Sequence, residues 1–111
     1  MKIKAPPPPR PGERRASAAP KHLDAEERKL WTRITSENTF SDGASLALLT
    51  AALEAHQRAR QCREIIDKQG AVVTDRFSQV RPHPLLASER DAKSTFIASM
   101  RAIGLTGAEH D

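Results

Sequence analysis

From Asp24 onward, apolar residues recur at three- and four-residue spacing, the pattern of helices that bury one face. A first helix is predicted from about Ala25 to Ser36, with Leu30, Trp31 and Ile34 on one side. Asp24 is suited to its N-cap, and Glu27 three residues on completes a capping-box pattern. Glu26 and Glu27 also place negative charge in the first turn, where the helix dipole favours it. Asn38 and Ser41-Asp42-Gly43 then break the periodicity.

A second helix is predicted from about Ala44 to Gln69. Leu46, Leu49, Leu53 and His56 run along one edge of its stripe, and Leu48, Ala52, Ala59, Cys62 and Ile66 along the other. The stripe is too wide for a strict coiled-coil seam. At about 1.5 Å per residue the helix spans roughly 39 Å, long for so short a chain, so part of its face is expected to pack on another copy. Gly70 is placed to end it in a left-handed conformation. A third helix is predicted from near Pro84 to Ile103, with Leu85, Leu86, Ala92, Phe96, Met100 and Ile103 as its stripe and Gly104 as its C-terminal stop. Between them, Ala71-Val72-Val73-Thr74 and the approach to Arg81-Pro82 read as a small β-hairpin or an extended excursion. No Asn-Gly or Asp-Gly turn is present to choose between the two.

The fold class is therefore mainly α: a three-helix subunit with a long central helix and at most a small hairpin before the third. Trp31, Leu46, Leu49, Leu53, Ile66 and Phe96 form the expected core or oligomer stripe. Residues 23–106 make the helical domain, and 107–111 a short tail. Residues 1–22 read as a disordered arm, because they hold six of the eight prolines and too little apolar surface to offset ordering entropy. Pro6 to Pro9 favour a polyproline II stretch.

Composition sharpens this picture in one respect. The net charge of +4 is unevenly placed. The first 21 residues hold six cations (Lys2, Lys4, Arg10, Arg14, Arg15 and Lys21) against Glu13 alone, whereas the rest of the chain is close to neutral. A near-neutral body with a basic arm suggests a polyanionic partner. A second basic group, Arg58, Arg60 and Arg63 with Lys68, lies on the second helix. It reads either as a further phosphate contact or as a solvated face balanced by Glu64 and Asp67.

Other chemistries find little support. The single Cys62 excludes an internal disulfide and a cysteine-based zinc cage. The histidines lack metal-ligand spacing, so no cofactor or metal is expected. His56 reads as an ordinary helix residue, and His83 as a turn residue bonded to backbone. No nucleophile elbow, dinucleotide fingerprint or P-loop is present. No apolar run approaches the roughly 20 residues that span a bilayer, and Met1–Arg10 has no apolar signal segment, so a cytosolic protein without membrane contact is expected. Two non-enzymatic readings stand out: a binder of a nucleic-acid phosphate backbone, or a protein–protein adaptor whose proline-rich arm docks on an aromatic groove.

The most specific words lie at the entry to the third helix. Asp75-Arg76-Phe77-Ser78-Gln79-Val80-Arg81-Pro82-His83-Pro84-Leu85-Leu86 is followed by Glu89-Arg90-Asp91 and Phe96. Pro20-Lys21-His22-Leu23, Ser45-Leu46-Ala47-Leu48-Leu49-Thr50 and Gly70-Ala71-Val72-Val73-Thr74 stand before it in order. Over residues 20 to 106 the chain resembles the small terminase subunits of tailed bacteriophages, of the short helical type with a His-Pro-Leu motif, here Pro82, His83, Pro84 and Leu85. One departure is Ser78, where relatives often carry glycine nearby. The resemblance implies a homo-oligomeric ring that binds double-stranded viral DNA in the bacterial cytoplasm. It also implies regulation of a large subunit that carries the ATPase and nuclease. Under it, the arm cations, Arg58, Arg60 and Arg63 become the candidate DNA contacts.

Overall fold

The computed structural model describes residues 18–40 and 42–105. Helix α1 spans Ala25–Glu37, α2 Gly43–Gln69 and α3 Leu85–Ile103. Strands β1 (Val72–Thr74) and β2 (Val80–Pro82) lie between α2 and α3. The arm cations Lys2, Lys4, Arg10, Arg14 and Arg15 and the tail 107–111 lie outside the described residues. Each predicted helix is present with its ends displaced by at most one residue. The Asp42 carboxylate accepts a hydrogen bond from the Ser45 backbone N–H (2.8 Å) and starts α2. Gly104 ends α3 at φ +87°, with its N–H on Arg101 and the Leu105 N–H reaching back to Met100. That is the paired arrangement of a left-handed helix stop.

The excursion between α2 and α3 is a hairpin. β1 and β2 pair antiparallel with Val72 opposite Pro82, Val73 opposite Arg81 and Thr74 opposite Val80. Asp75 takes the place of an Asn-Gly turn. Its carboxylate accepts from the Phe77 and Gln79 N–H groups (2.8 and 3.0 Å) and from Arg81 Nε (2.7 Å). The Arg81 guanidinium, with the two backbone donors, holds the Asp75 carboxyl below its usual range. Ser78 adopts φ +62°, a left-handed conformation that a side chain makes costly. The departure from glycine noted in the sequence thus falls on a position that demands glycine's freedom.

α2 is the spine. α3 returns antiparallel along it, and α1 packs on it near its N-terminal half. Leu23, Trp31, Leu49 and Leu53 form the buried centre, with Leu46, Phe96, Met100 and Ile103 packed around them. Ala59, Cys62 and Ile66 continue the buried face toward the hairpin end. Most of the predicted stripe is therefore spent inside one chain: Leu49 and Leu53 are wholly buried without any second copy. The larger apolar side chains left exposed are Ile65, Ile97 and the hairpin's Val72, Phe77 and Val80.

His83 joins the hairpin to both long helices. It is buried, its backbone N–H donates to Ala71 and its carbonyl accepts from the Leu86 N–H. Nδ1 accepts from the Leu85 N–H (3.0 Å), an obligatory donor, so Nε2 carries the proton and donates to Gln69 Oε1 (2.7 Å). The ring caps α3 and ties it to the last residue of α2. Pro84, already helical at φ −61°, presents no N–H that would need a partner.

Two outcomes follow from these bonds. His83→Ala strands the Leu85 N–H and should cost about 1–3 kcal/mol, read as a lower midpoint in thermal or urea unfolding. Ser78→Gly removes left-handed strain of ~1–2 kcal/mol against an entropic cost of about 0.5–1. It should leave stability unchanged or raise it by up to ~1.5 kcal/mol, and a clear loss would contradict the turn geometry.

Candidate nucleic-acid interface

The basic residues of α2 are not equivalent once the helices pack. A helix brings residues three and four apart onto one side, so His56, Arg60 and Arg63 share a face, as do Asp24, Glu27 and Trp31 where α1 meets it. Glu27 is wholly buried. Its carboxylate accepts from His56 Nδ1 at 2.7 Å and from Arg60 at 2.9 and 3.1 Å. Arg60 also reaches Asp24 (2.7 Å) and Glu64 (2.9 Å). Gln61 donates to the Asp24 carboxylate, and the Asp24 N–H donates to Gln57. The capping box read from the sequence is therefore not formed: Asp24 makes no side-chain cap. The Asp24 and Glu27 carboxylates both turn to α2, where a guanidinium offers a stronger, charge-assisted bond than a backbone N–H.

A second clamp joins α2 to α3. Arg63 meets buried Glu89 through two bonds of 2.6 and 2.9 Å, and Lys93 adds a contact of 3.3 Å to the same carboxylate. Between the two clamps lies a groove lined by His56, Ala59, Lys93 and Phe96. The His56 and Phe96 rings meet edge to face there, 5.3 Å apart.

The clamps decide how the candidate DNA contacts stand. Arg60 and Arg63 already hold carboxylates, so a phosphate would compete with Glu27 and Glu89. Arg58, on the opposite side of α2 from His56 and Arg60, is exposed beside a shallow groove that also contains Glu54, Asp91 and Ala92. No described carboxylate pairs with it. Lys21 is exposed at the entry to α1. Sequence reading missed Asp24, Glu27, His56 and Glu89 as interhelix partners. The available signal was a carboxylate in register with Trp31, which places a charge on the apolar side of α1.

Among the described residues no cluster of His, Cys, Asp or Glu is arranged to hold a metal ion, and no helix is long and apolar enough to cross a membrane. What the described residues define is a small helical subunit, ordered by interhelix ion pairs and carrying unpaired cations at its surface. Residues 27–111 match the family model described as phage terminase, small subunit, and the chain belongs to that family. No curated protein and no solved structure matches it. Membership implies a role in phage DNA packaging.

The buried carboxylate has a pH signature. Burial alone would raise the Glu27 pKa, but the bonds and charges of Arg60 and His56 outweigh it and hold the group below its ordinary 4.5. Stability from a depressed carboxyl is complete above the unfolded value and is lost as pH falls through the folded one. Glu89, Asp75 and Asp42 are also held low, so the difference between wild type and Glu27→Gln isolates Glu27. Breaking a buried pair costs ~3–5 kcal/mol. Glu27→Gln should fall at or below the lower end, because Arg60 keeps Asp24 and Glu64. The difference should shrink as urea unfolding is repeated from about pH 7 down to about pH 3. A constant difference would locate the titrating carboxyl elsewhere.

Proposed function

We propose that this chain is the non-catalytic, DNA-binding regulator of a phage packaging motor. It binds double-stranded viral DNA in the host cytoplasm, assembles into a homo-oligomeric ring and modulates the large subunit that cuts and translocates the genome. The observation that carries this reading is family membership across residues 27–111. The charge distribution supports it independently, since a cationic arm precedes a near-neutral body. Such an arm reaches phosphates beyond the body while reading little sequence. Lys2, Lys4, Arg10, Arg14, Arg15 and Lys21 supply its contacts, joined on α2 by Arg58, which meets no described carboxylate. Arg60 and Arg63 contribute only where phosphate displaces part of a clamp. A ring multiplies each weak contact, raising avidity by ~10²–10⁴ where geometry lets several subunits engage one duplex.

Deleting residues 1–21 should weaken binding to unrelated duplexes by a similar factor. The slope of log K against log salt should fall by ~0.9 for each phosphate that the arm no longer neutralises. Light scattering should report a multimer for both the full chain and the truncation at micromolar concentration. A salt slope unchanged by the deletion would remove the arm from the interface, and a monomeric full chain would remove the ring.

A further inference from the structure

The hairpin carries an apolar surface that the subunit leaves uncovered. Partners across an antiparallel ladder share a face, and residues along a strand alternate between faces. The register therefore puts Val72, Thr74, Val80 and Pro82 on one face, and all four are exposed. Val73, on the other face, is half-buried. Val72, Val80 and the turn's Phe77 are 60 to 71% exposed, although Asp75 and His83 hold the turn and the base of the hairpin in place. Clustered apolar side chains on the outside of an ordered element mark an interaction site. The same chain also holds an open apolar groove. It lies between the two clamps, measures about 420 Å³ and is walled by Ala59 and the rings of His56 and Phe96. Asp24, just before α1, meets Arg60 and Gln61, so no turn of α1 covers α2 beyond them.

We propose that the hairpin of one subunit seats in this groove on a second copy of the chain, in a head-to-tail contact. The inference rests on the multimer reading above and deepens it by assigning both surfaces. The sizes agree: a cavity of ~150 Å³ accepts a benzene ring, so the groove has room for Phe77 together with Val80. The charges agree as well. Arg76 lies over the Phe77 ring at 4.9 Å, and no described carboxylate pairs with it. The clamps around the groove hold five carboxylates against three lysine and arginine cations. Two of those carboxylates, Glu64 and Asp67, are largely exposed. The hairpin thus brings a free cation to a margin with surplus negative charge. It cannot fill its own groove, because His83 ties its base to Ala71, Gln69 and the start of α3. Knob and hole are different surfaces of one chain, so each subunit receives one neighbour and enters another. A contact of this heterologous kind closes into a ring when its rotation allows.

The test uses the full chain in sedimentation velocity at micromolar concentration. The double variant Phe77→Ser, Val80→Ser removes the knob. Ala59→Leu fills the groove; if it lowers the unfolding midpoint, Lys93→Trp replaces it and crowds the groove from an exposed rim position. Ile65→Ser removes an apolar side chain from an exposed position elsewhere on α2. Circular dichroism should show wild-type helix content in each variant used. Wild type and Ile65→Ser should sediment as multimers. The knob and groove variants should each sediment as monomers. Mixed in equal amounts, they should form a dimer that grows no further, since together they retain one intact hairpin facing one intact groove. A multimer that survives either lesion would overturn the hairpin–groove contact alone and leave the hairpin to a different partner. So would a mixture that stays monomeric well above the concentration at which wild type assembles. A wild type that sediments as a monomer would overturn the multimer reading and this contact with it.

Discussion

A carboxylate with no access to water must find its counter-charges inside the protein, and Glu27 finds them across a helix interface. An unpaired buried charge is too costly to tolerate, so α1 can seat Trp31 in the core only if Glu27 meets Arg60 and His56 at the same time. The pair acts less as added strength than as a register mark. Sliding α1 by one turn along α2 would move Trp31 off Leu49 and Leu53 and leave Glu27 without donors. Most other interhelix polar contacts align with this arrangement. Arg60 gathers Asp24 and Glu64, His56 turns its ring against Phe96 of α3, and one turn further on Arg63 takes Glu89.

The same constraint shapes the surface. Carboxylates from α1 and α3 neutralise the cations along one side of α2. For a member of a DNA-packaging family, the consequence is a division of labour among basic residues. Arg60 and Arg63 hold the helices together through buried carboxylates, while exposed Arg58 and Lys21 meet no described carboxylate. Counting arginines on a helix does not distinguish these roles; the positions of the opposing carboxylates do.

The hairpin end follows a different logic. Three-residue strands cannot hold an excursion by pairing alone. Its geometry comes instead from Asp75, which gathers two backbone donors and Arg81, and from His83, which bonds to Ala71, Gln69 and the first turn of α3. Phe77 and Val80 are thereby displayed at the surface with the Arg76 guanidinium over the Phe77 ring at 4.9 Å. The hydrophobic exposure belongs to an ordered turn.

The three helices, their ends within a residue, the glycine stops and the prolines flanking His83 were all legible in the sequence. These features depend on residues within a few positions of one another, and helical periodicity reports them directly. The terminase resemblance was legible for the same reason, in words whose order survives along the chain. The sequence left the choice between hairpin and loop open, because Asp75 replaces the usual turn pair with side-chain bonds that spacing does not reveal. It also suggested a capping box at Asp24 and Glu27, and it read Arg60 and Arg63 either as phosphate contacts or as a face balanced by Glu64 and Asp67, both of which do pair with them. Tertiary structure replaced the box and added the stronger partners: the Asp24, Glu27 and Glu89 carboxylates took cations from another helix, 26 to 36 positions away. A charged hydrogen bond across a helix interface outweighs a local cap to a backbone N–H, and its partner is known only once the helices have packed.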